Sequence, residues 1–173
     1  MSSLDGALDS LTVIEVAEMI KNQDQLVNQG INRKGRERDT LLRLEDKFRK
    51  YVQEGEFEVL YGYVWKRSFL SYKKRMLILT SSARLLYLRQ DGVYKGTIPW
   101  ALTKPLSIRK VDATHFDIEV FDKSRVFHLS DSVGGADKWV NGIQQLMKAQ
   151  KAYVLRSLNS HVPVPVPTFD SPF

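Results

Sequence analysis

Apolar residues recur at helical spacing in the first third of the chain, with Val13, Val16, Ala17 and Ile20 on one stripe and the polar stretch Lys21-Asn22-Gln23-Asp24-Gln25 after them. Thr12 and Glu15 have the Thr-x-x-Glu spacing of a capping box, so a helix is expected to open there, with Gly30 as its stop. A basic hinge at 32–36 leads into a second amphipathic segment carrying Leu41, Leu44, Phe48 and Tyr51 on one face and ended by Gly55. From residue 56 to 130 the pattern changes. Short runs at 57–65, 74–80, 84–88, 94–98, 106–111, 115–121 and 125–129 read as strands, several divided by turn signals such as Gln90-Asp91-Gly92 and Phe121-Asp122-Lys123-Ser124. Gly134-Gly135 then precedes a helix with Trp139, Ile143, Leu146 and Met147 on one side. The expected fold class is α+β, mainly β: a seven-stranded antiparallel barrel or sandwich capped by a C-terminal helix, with an N-terminal helical extension. Trp139 is expected to fill the barrel opening. Beyond the helix, Val and Pro alternate over 161–167, which favours an extended tail.

Composition narrows what such a chain does. Its 173 residues, 43% hydrophobic, suffice for one core with extensions. The formal charge of +6 favours acidic partners, meaning phosphates on lipid or nucleic acid. With no cysteine there is neither a disulfide framework nor a thiolate metal site. No long apolar run and no charged-then-apolar leader occurs, so cytoplasmic residence is expected.

The charge is unevenly placed. Between Glu58 and Asp91 there is no carboxylate, yet Lys66, Arg67, Lys73, Lys74, Arg75, Arg84 and Arg89 all fall there. In a strand alternate side chains share a face, so Lys73 and Arg75 point the same way as Leu77 and Leu79, at the mouth of what becomes core. Lys95 and Arg125 arrive from other strands. Inward-facing cations without partners are costly, and their convergence calls for a multivalent anion. Arg67, Lys74, Arg84 and Arg89 are expected to add diffuse attraction to an anionic surface.

Other chemistries find less support. There is no Gly-rich phosphate loop, no His-Arg-Asp, no Asp-Phe-Gly and no Gly-x-Ser-x-Gly, so no enzyme and no cofactor are expected. His115, His128 and His161 are too scattered for a metal pair, and His128 reads as structural. Trp65, Phe69 and Tyr72 lie among the cations, but the RNA-recognition pattern and a Gly-x-x-Gly loop are lacking, so nucleic acid is not the expected partner. A protein-interaction module, docking or self-associating through the N-terminal helices, is the alternative reading.

Seven strands, a closing helix with a tryptophan and a basic first hairpin together resemble a pleckstrin homology (PH) domain. Lys95-Gly96-Thr97-Ile98-Pro99-Trp100, the pair Leu86-Tyr87, and Ala136-Asp137-Lys138-Trp139 with Ile143-Gln144 are similar to the C-terminal PH domain of phosphoinositide-dependent protein kinases. The resemblance covers about residues 36–153, with 39–52 as its N-terminal helical bud, and the chain is expected to divide into an N-terminal helix and basic linker (1–35), the PH domain with its bud (36–155) and a Pro-rich disordered tail (156–173). The resemblance implies binding of the headgroup of phosphatidylinositol 3,4,5-trisphosphate or 3,4-bisphosphate, or of soluble inositol phosphates, between the first and second hairpins. Carried over by position, Lys66 is the loop lysine, Lys73 and Arg75 the second-strand pair, Tyr87 a phosphate-bonding tyrosine, Lys95 the base before the Gly, and Arg125 a further base opening the seventh strand. Ser68 departs from the pattern, which has a basic residue there. Phe69 and Leu70 make the loop apolar and, with Arg67 and Lys74, suit a secondary membrane contact. A parent kinase would keep its catalytic domain elsewhere, and the module would be cytoplasmic and recruited to the plasma membrane.

Overall fold

The computed structural model describes residues 12–33, 43–101, 103–121 and 124–159. Helix α1 (Val13–Arg33) precedes the short α2 (Asp46–Arg49). Seven strands follow: β1 (Glu58–Ser68), β2 (Ser71–Thr80), β3 (Leu85–Leu88), β4 (Tyr94–Ile98), β5 (Ser107–Lys110), β6 (His115–Val120) and β7 (Arg125–Ser130). Helix α3 (Asp137–Asn159) follows them. The strands form one antiparallel sheet in the order β4-β3-β2-β1-β7-β6-β5, so β1 lies at its centre and joins the two meanders.

Both faces of the β1–β3 half are covered, which explains the continuous apolar run Met76-Leu77-Ile78-Leu79 in β2. Leu77 and Leu79 face the main core with Leu60, Val64, Leu85, Ile98, Phe116, Ile118, Phe127 and Leu129. Met76 and Ile78 face the other way, with Tyr61, Leu86 and Leu88, and are covered by Leu44 and Phe48 from the bud. Trp139 of α3 closes the main core, fully buried and stacked on Phe116 with ring centres 6.3 Å apart. Its indole nitrogen donates to Asp131 Oδ2 at 2.8 Å, so the ring's one polar atom is satisfied inside the core.

Helix α1 packs on α3 and β1 by burying Val16, Ala17 and Ile20. The crossing is close because α3 has Gly142 there: a Cβ on it would stand 2.7 Å from Leu60 Cδ1 and 3.3 Å from Ile20 Cγ2. Glu58 at the start of β1 is buried and meets two cations, Lys21 of α1 at 3.2 Å and Arg49 of α2 at 3.0 Å. That carboxylate therefore ties both helices to the sheet. The capping box is formed, since the Thr12 amide donates to Glu15 Oε1 at 2.9 Å and the Glu15 amide to Thr12 Oγ1 at 3.0 Å.

Three expectations change. Helix α1 runs through Gly30 to Arg33, because one glycine inside a helix costs only about 1 kcal/mol and does not oblige it to stop. Among the described residues of the bud the helix spans Asp46–Arg49, and Gly55, with φ +86°, serves the turn beyond it; Leu41 and the rest of 34–42 lie outside the described residues. Residues 66–68 and 71–73, between the two expected first strands, are strand as well, Lys66 pairing with Lys73 and Ser68 with Ser71 around a two-residue turn. The tail after 159 also lies outside the described residues. Among the described residues no helix is long and apolar enough to cross a membrane.

Candidate functional site

Pairing registers place three turns at one end of the sheet. β3 approaches the β1–β2 turn as it runs from Leu85, opposite Leu79, to Leu88, opposite Met76. β7 leaves that same end, since Leu129 and Ser130 pair with Lys66 and Trp65. At this end Lys66, Ser68, Lys73, Arg75, Tyr87 and Lys95 line a recess of about 250 Å³.

Alternation brings the first three cations in. Lys66 continues the inward face of Val64, and Arg75 that of Leu77, while Lys66 and Lys73 stand directly opposite each other across the hairpin. Like charges so placed repel, and among the described residues no carboxylate lies within 4.0 Å of Lys66, Lys73, Arg75, Lys95 or Arg125 to offset it. Arg75 donates from Nη1 to the Lys74 carbonyl at 3.0 Å, one of its five N–H donors.

Lys95 reaches the recess by another device. Tyr87 pairs with Gly96 but Leu88 with Tyr94, so Lys95 is the extra residue of a β-bulge. In a regular strand it would face away from Gly96; the bulge re-aims it. Gly96 in turn leaves room for Tyr87, whose Cζ would be 2.6 Å from a Cβ there. Tyr87 therefore lies across β4 with its hydroxyl at the recess.

An aromatic wall holds the cations. Lys66 Nζ lies 4.9 Å from the Tyr87 ring centre and 5.5 Å from that of Phe127, and the Arg125 guanidinium sits 4.4 Å from the Phe127 ring centre. Arg125 is thus beside the recess on Phe127 and is not among its lining residues. Burial, then the charges of Arg125 and Arg75, push the Lys66 ammonium below the ordinary lysine range. A bound anion would reverse the charge part of that shift.

Among the described residues the β1–β2 hairpin projects beyond the recess without other strands paired to it: β7 pairs with β1 at Trp65 and Lys66, and β3 with β2 from Met76 to Leu79. Phe69 and Leu70 form its tip, 88% and 86% exposed, with Phe69 at φ +51°. On the face turned away from the core, Trp65 pairs with Lys74 and Arg67 with Tyr72, and Lys74 Nζ lies 4.9 Å from the Tyr63 ring centre. Two expected surface cations are held otherwise: Arg84 bonds Glu56, and Arg89 bonds Asp91 at 2.6 Å. His128 bonds Asp117 at 2.8 Å in an outward row with Arg109, consistent with a structural place.

Sequence reasoning missed Phe127 and the way Ser68 joins the lining. Both were within reach of alternation, Phe127 two residues after Arg125 and Ser68 two after Lys66.

The PH domain family model matches residues 46–152, well over half of the chain. The chain belongs to the PH domain family. It is 33% identical over 99 residues to the probable serine/threonine-protein kinase pdkA of Dictyostelium discoideum, covering 57% of this chain and 14% of that one. It is 29% identical over 100 residues to 3-phosphoinositide-dependent protein kinase 1 of Caenorhabditis elegans, covering 57% and 15%. This PH domain chain therefore spans about a seventh of those relatives, and it is not a catalytic kinase domain. Among solved structures, the C-terminal PH domain of human pleckstrin aligns at TM-score 0.42 and 16% identity, over 65% of this chain and 92% of that one. The PH domain of human oxysterol binding protein-related protein 11 aligns at 0.41 and 15%, over 69% and 96%.

Proposed function

We propose that the recess receives a 3-phosphorylated inositol headgroup, of phosphatidylinositol 3,4,5-trisphosphate or 3,4-bisphosphate, and so recruits this cytoplasmic chain to the plasma membrane. The observation that carries the reading is the Lys66–Lys73 cross-strand pair with Arg75 and Lys95 around one recess and no carboxylate among them. Arg75 supplies a two-pronged contact to one phosphate, and Lys66, Lys73 and Lys95 give point charges to its neighbours. Tyr87 donates its hydroxyl, and Arg125 reaches in from Phe127. The two relatives, one of them named for 3-phosphoinositide dependence, support the choice of headgroup. Phe69 enters the bilayer at the hairpin tip while Arg67 and Lys74 meet anionic lipid beside it.

Co-sedimentation with vesicles tests the reading, comparing 3-phosphorylated phosphoinositides with phosphatidylserine at equal total charge and near-physiological salt. Preference for the phosphoinositide, competed by soluble inositol phosphates, is expected. Charge-assisted hydrogen bonds contribute roughly 1.5–3 kcal/mol each, so Arg75→Ala should weaken binding about tenfold to a hundredfold. Equal binding to both vesicles would reduce the site to a general anionic patch. Retention of a protein partner without lipid would favour an interaction module.

A further inference from the structure

Ser68 lines the recess, shares the inward strand face with Lys66, and lies diagonally across the hairpin from Lys73. We infer that Ser68 is a phosphorylation site, and that its phosphoryl group occupies the recess and closes it to other phosphates.

Accessibility is the first requirement. Ser68 is exposed and adjoins a two-residue turn whose first residue, Phe69, is held at positive φ, a conformation unfavourable for a bulky side chain. Among the described residues the hairpin from Arg67 to Lys74 pairs only with itself, and a two-stranded ribbon on its own is marginally stable. It can therefore open into the extended form that a kinase cleft takes. Lys66 and Arg67 before the serine, and Lys73, Lys74 and Arg75 after it, give a protein kinase with an acidic substrate groove its recognition charges.

The reaction needs a nucleoside triphosphate as donor. The Ser68 oxygen attacks the γ-phosphorus, the Oγ–P bond forms as the bond to the β–γ bridging oxygen breaks, the hydroxyl proton passes to the kinase base, and the nucleoside diphosphate leaves. The product adds about −1.5 to −2 charge and three acceptor oxygens opposite a cation cluster. Because it is tethered, its effective concentration at the recess is in the millimolar range or above, so it competes with a membrane headgroup without needing high intrinsic affinity.

The regulatory part rests on the headgroup reading, and the test separates the two. Protein carrying phosphoserine at position 68 is compared with protein carrying it at Ser107, an exposed residue of the far edge strand β5 that adds equal charge. In a phosphorus NMR titration the second ionisation, ordinarily near pH 6 for a phosphoserine, should lie lower at 68 than at 107 and move up in Arg75→Ala. That readout involves no lipid, and equal titration at both positions overturns occupation of the recess. On vesicles containing phosphatidylinositol 3,4,5-trisphosphate, phosphoserine 68 should reduce binding at least tenfold and phosphoserine 107 less than twofold. Equal losses would assign the effect to net charge and overturn the gating. If the unmodified protein shows no phosphoinositide preference, the headgroup reading fails while the titration still decides occupation. Incubation of the protein with ATP and a purified kinase selective for basic substrates, followed by peptide mass mapping, should place phosphate on Ser68 and not in Ser68→Ala; phosphate only on other serines overturns the acceptor assignment.

Discussion

Phe127 shows how a buried aromatic residue shapes a charged site. Its ring lies beside both Lys66 and Arg125, two cations that repel each other, and is shared between them, while Tyr87 also holds Lys66. Each cation–π contact contributes about 0.5–1 kcal/mol. Phe127→Leu should therefore lower affinity for a multiply phosphorylated headgroup about tenfold, and Phe127→Tyr should restore it, as read by titration calorimetry with a soluble inositol phosphate. Equal affinity in the leucine variant would leave the ring as core packing alone. At this scale strand alternation made Lys73 and Arg75 legible, since their period of two continues that of Leu77 and Leu79, whereas Lys66, beyond the expected end of the first strand, was reached only through the family resemblance. Alternation would have turned Lys95 away, because the bulge that re-aims it is a property of the β3–β4 register and leaves no mark in an alternating pattern.

Among elements, an ion pair helps to fasten the turn between β2 and β3, beside the hydrogen bonds of Ser81 with Phe57. Arg84 bonds Glu56 and donates to the Tyr51 carbonyl at 2.9 Å, joining that turn to the segment after α2. Burial alone would raise the Glu56 carboxyl, but the Arg84 hydrogen bonds, with those from the Gln53 amide, Thr80 and Ser82, hold it at about 2. A carboxyl depressed from 4.5 in this way stabilises the fold fully above pH 4.5 and loses that contribution as pH falls toward 2. The urea midpoint should fall over that window, and in Glu56→Gln it should start lower at neutral pH and fall less. Parallel curves for the two proteins would remove Glu56 from the acid response. Element types were read correctly from periodicity for all seven strands and α3, where β-branched, aromatic and turn residues agree. The ends were harder: β1 and β2 continue through cations because each finds a partner across the hairpin, and α1 continues through Gly30.

For the whole molecule, charge is arranged in two classes with different responses to salt. Lys66 and Arg75 are half-buried in the recess, whose other cations Lys73 and Lys95 are exposed, while Arg67 is exposed on the opposite face of the hairpin. Exposed charges are screened over about 10 Å at 0.1 M salt and about 3 Å at 1 M. Raising salt should therefore abolish sedimentation with phosphatidylserine vesicles while phosphoinositide binding declines more slowly; an identical decline would argue against a recess that shelters its cations. The overall architecture was legible because seven strands and one capping helix leave few ways to cover a small sheet. The docking of α1 on α3 was not, since Val16, Ala17 and Ile20 mark an apolar face without naming what covers it.

That docking bears on where this domain can be cut. A fragment trimmed to the family boundary, residues 46–152, would keep Arg49 but lose Lys21, leaving the buried Glu58 with half its counter-charge and Leu60 bare beside Gly142. Losing α1 also removes Val16, Ala17 and Ile20, the apolar side chains by which it packs on α3 and β1. The packed unit of the structure is therefore wider than the family match, and a preparation begun at residue 46 should unfold at lower urea than one that includes α1, as paired denaturation curves would show.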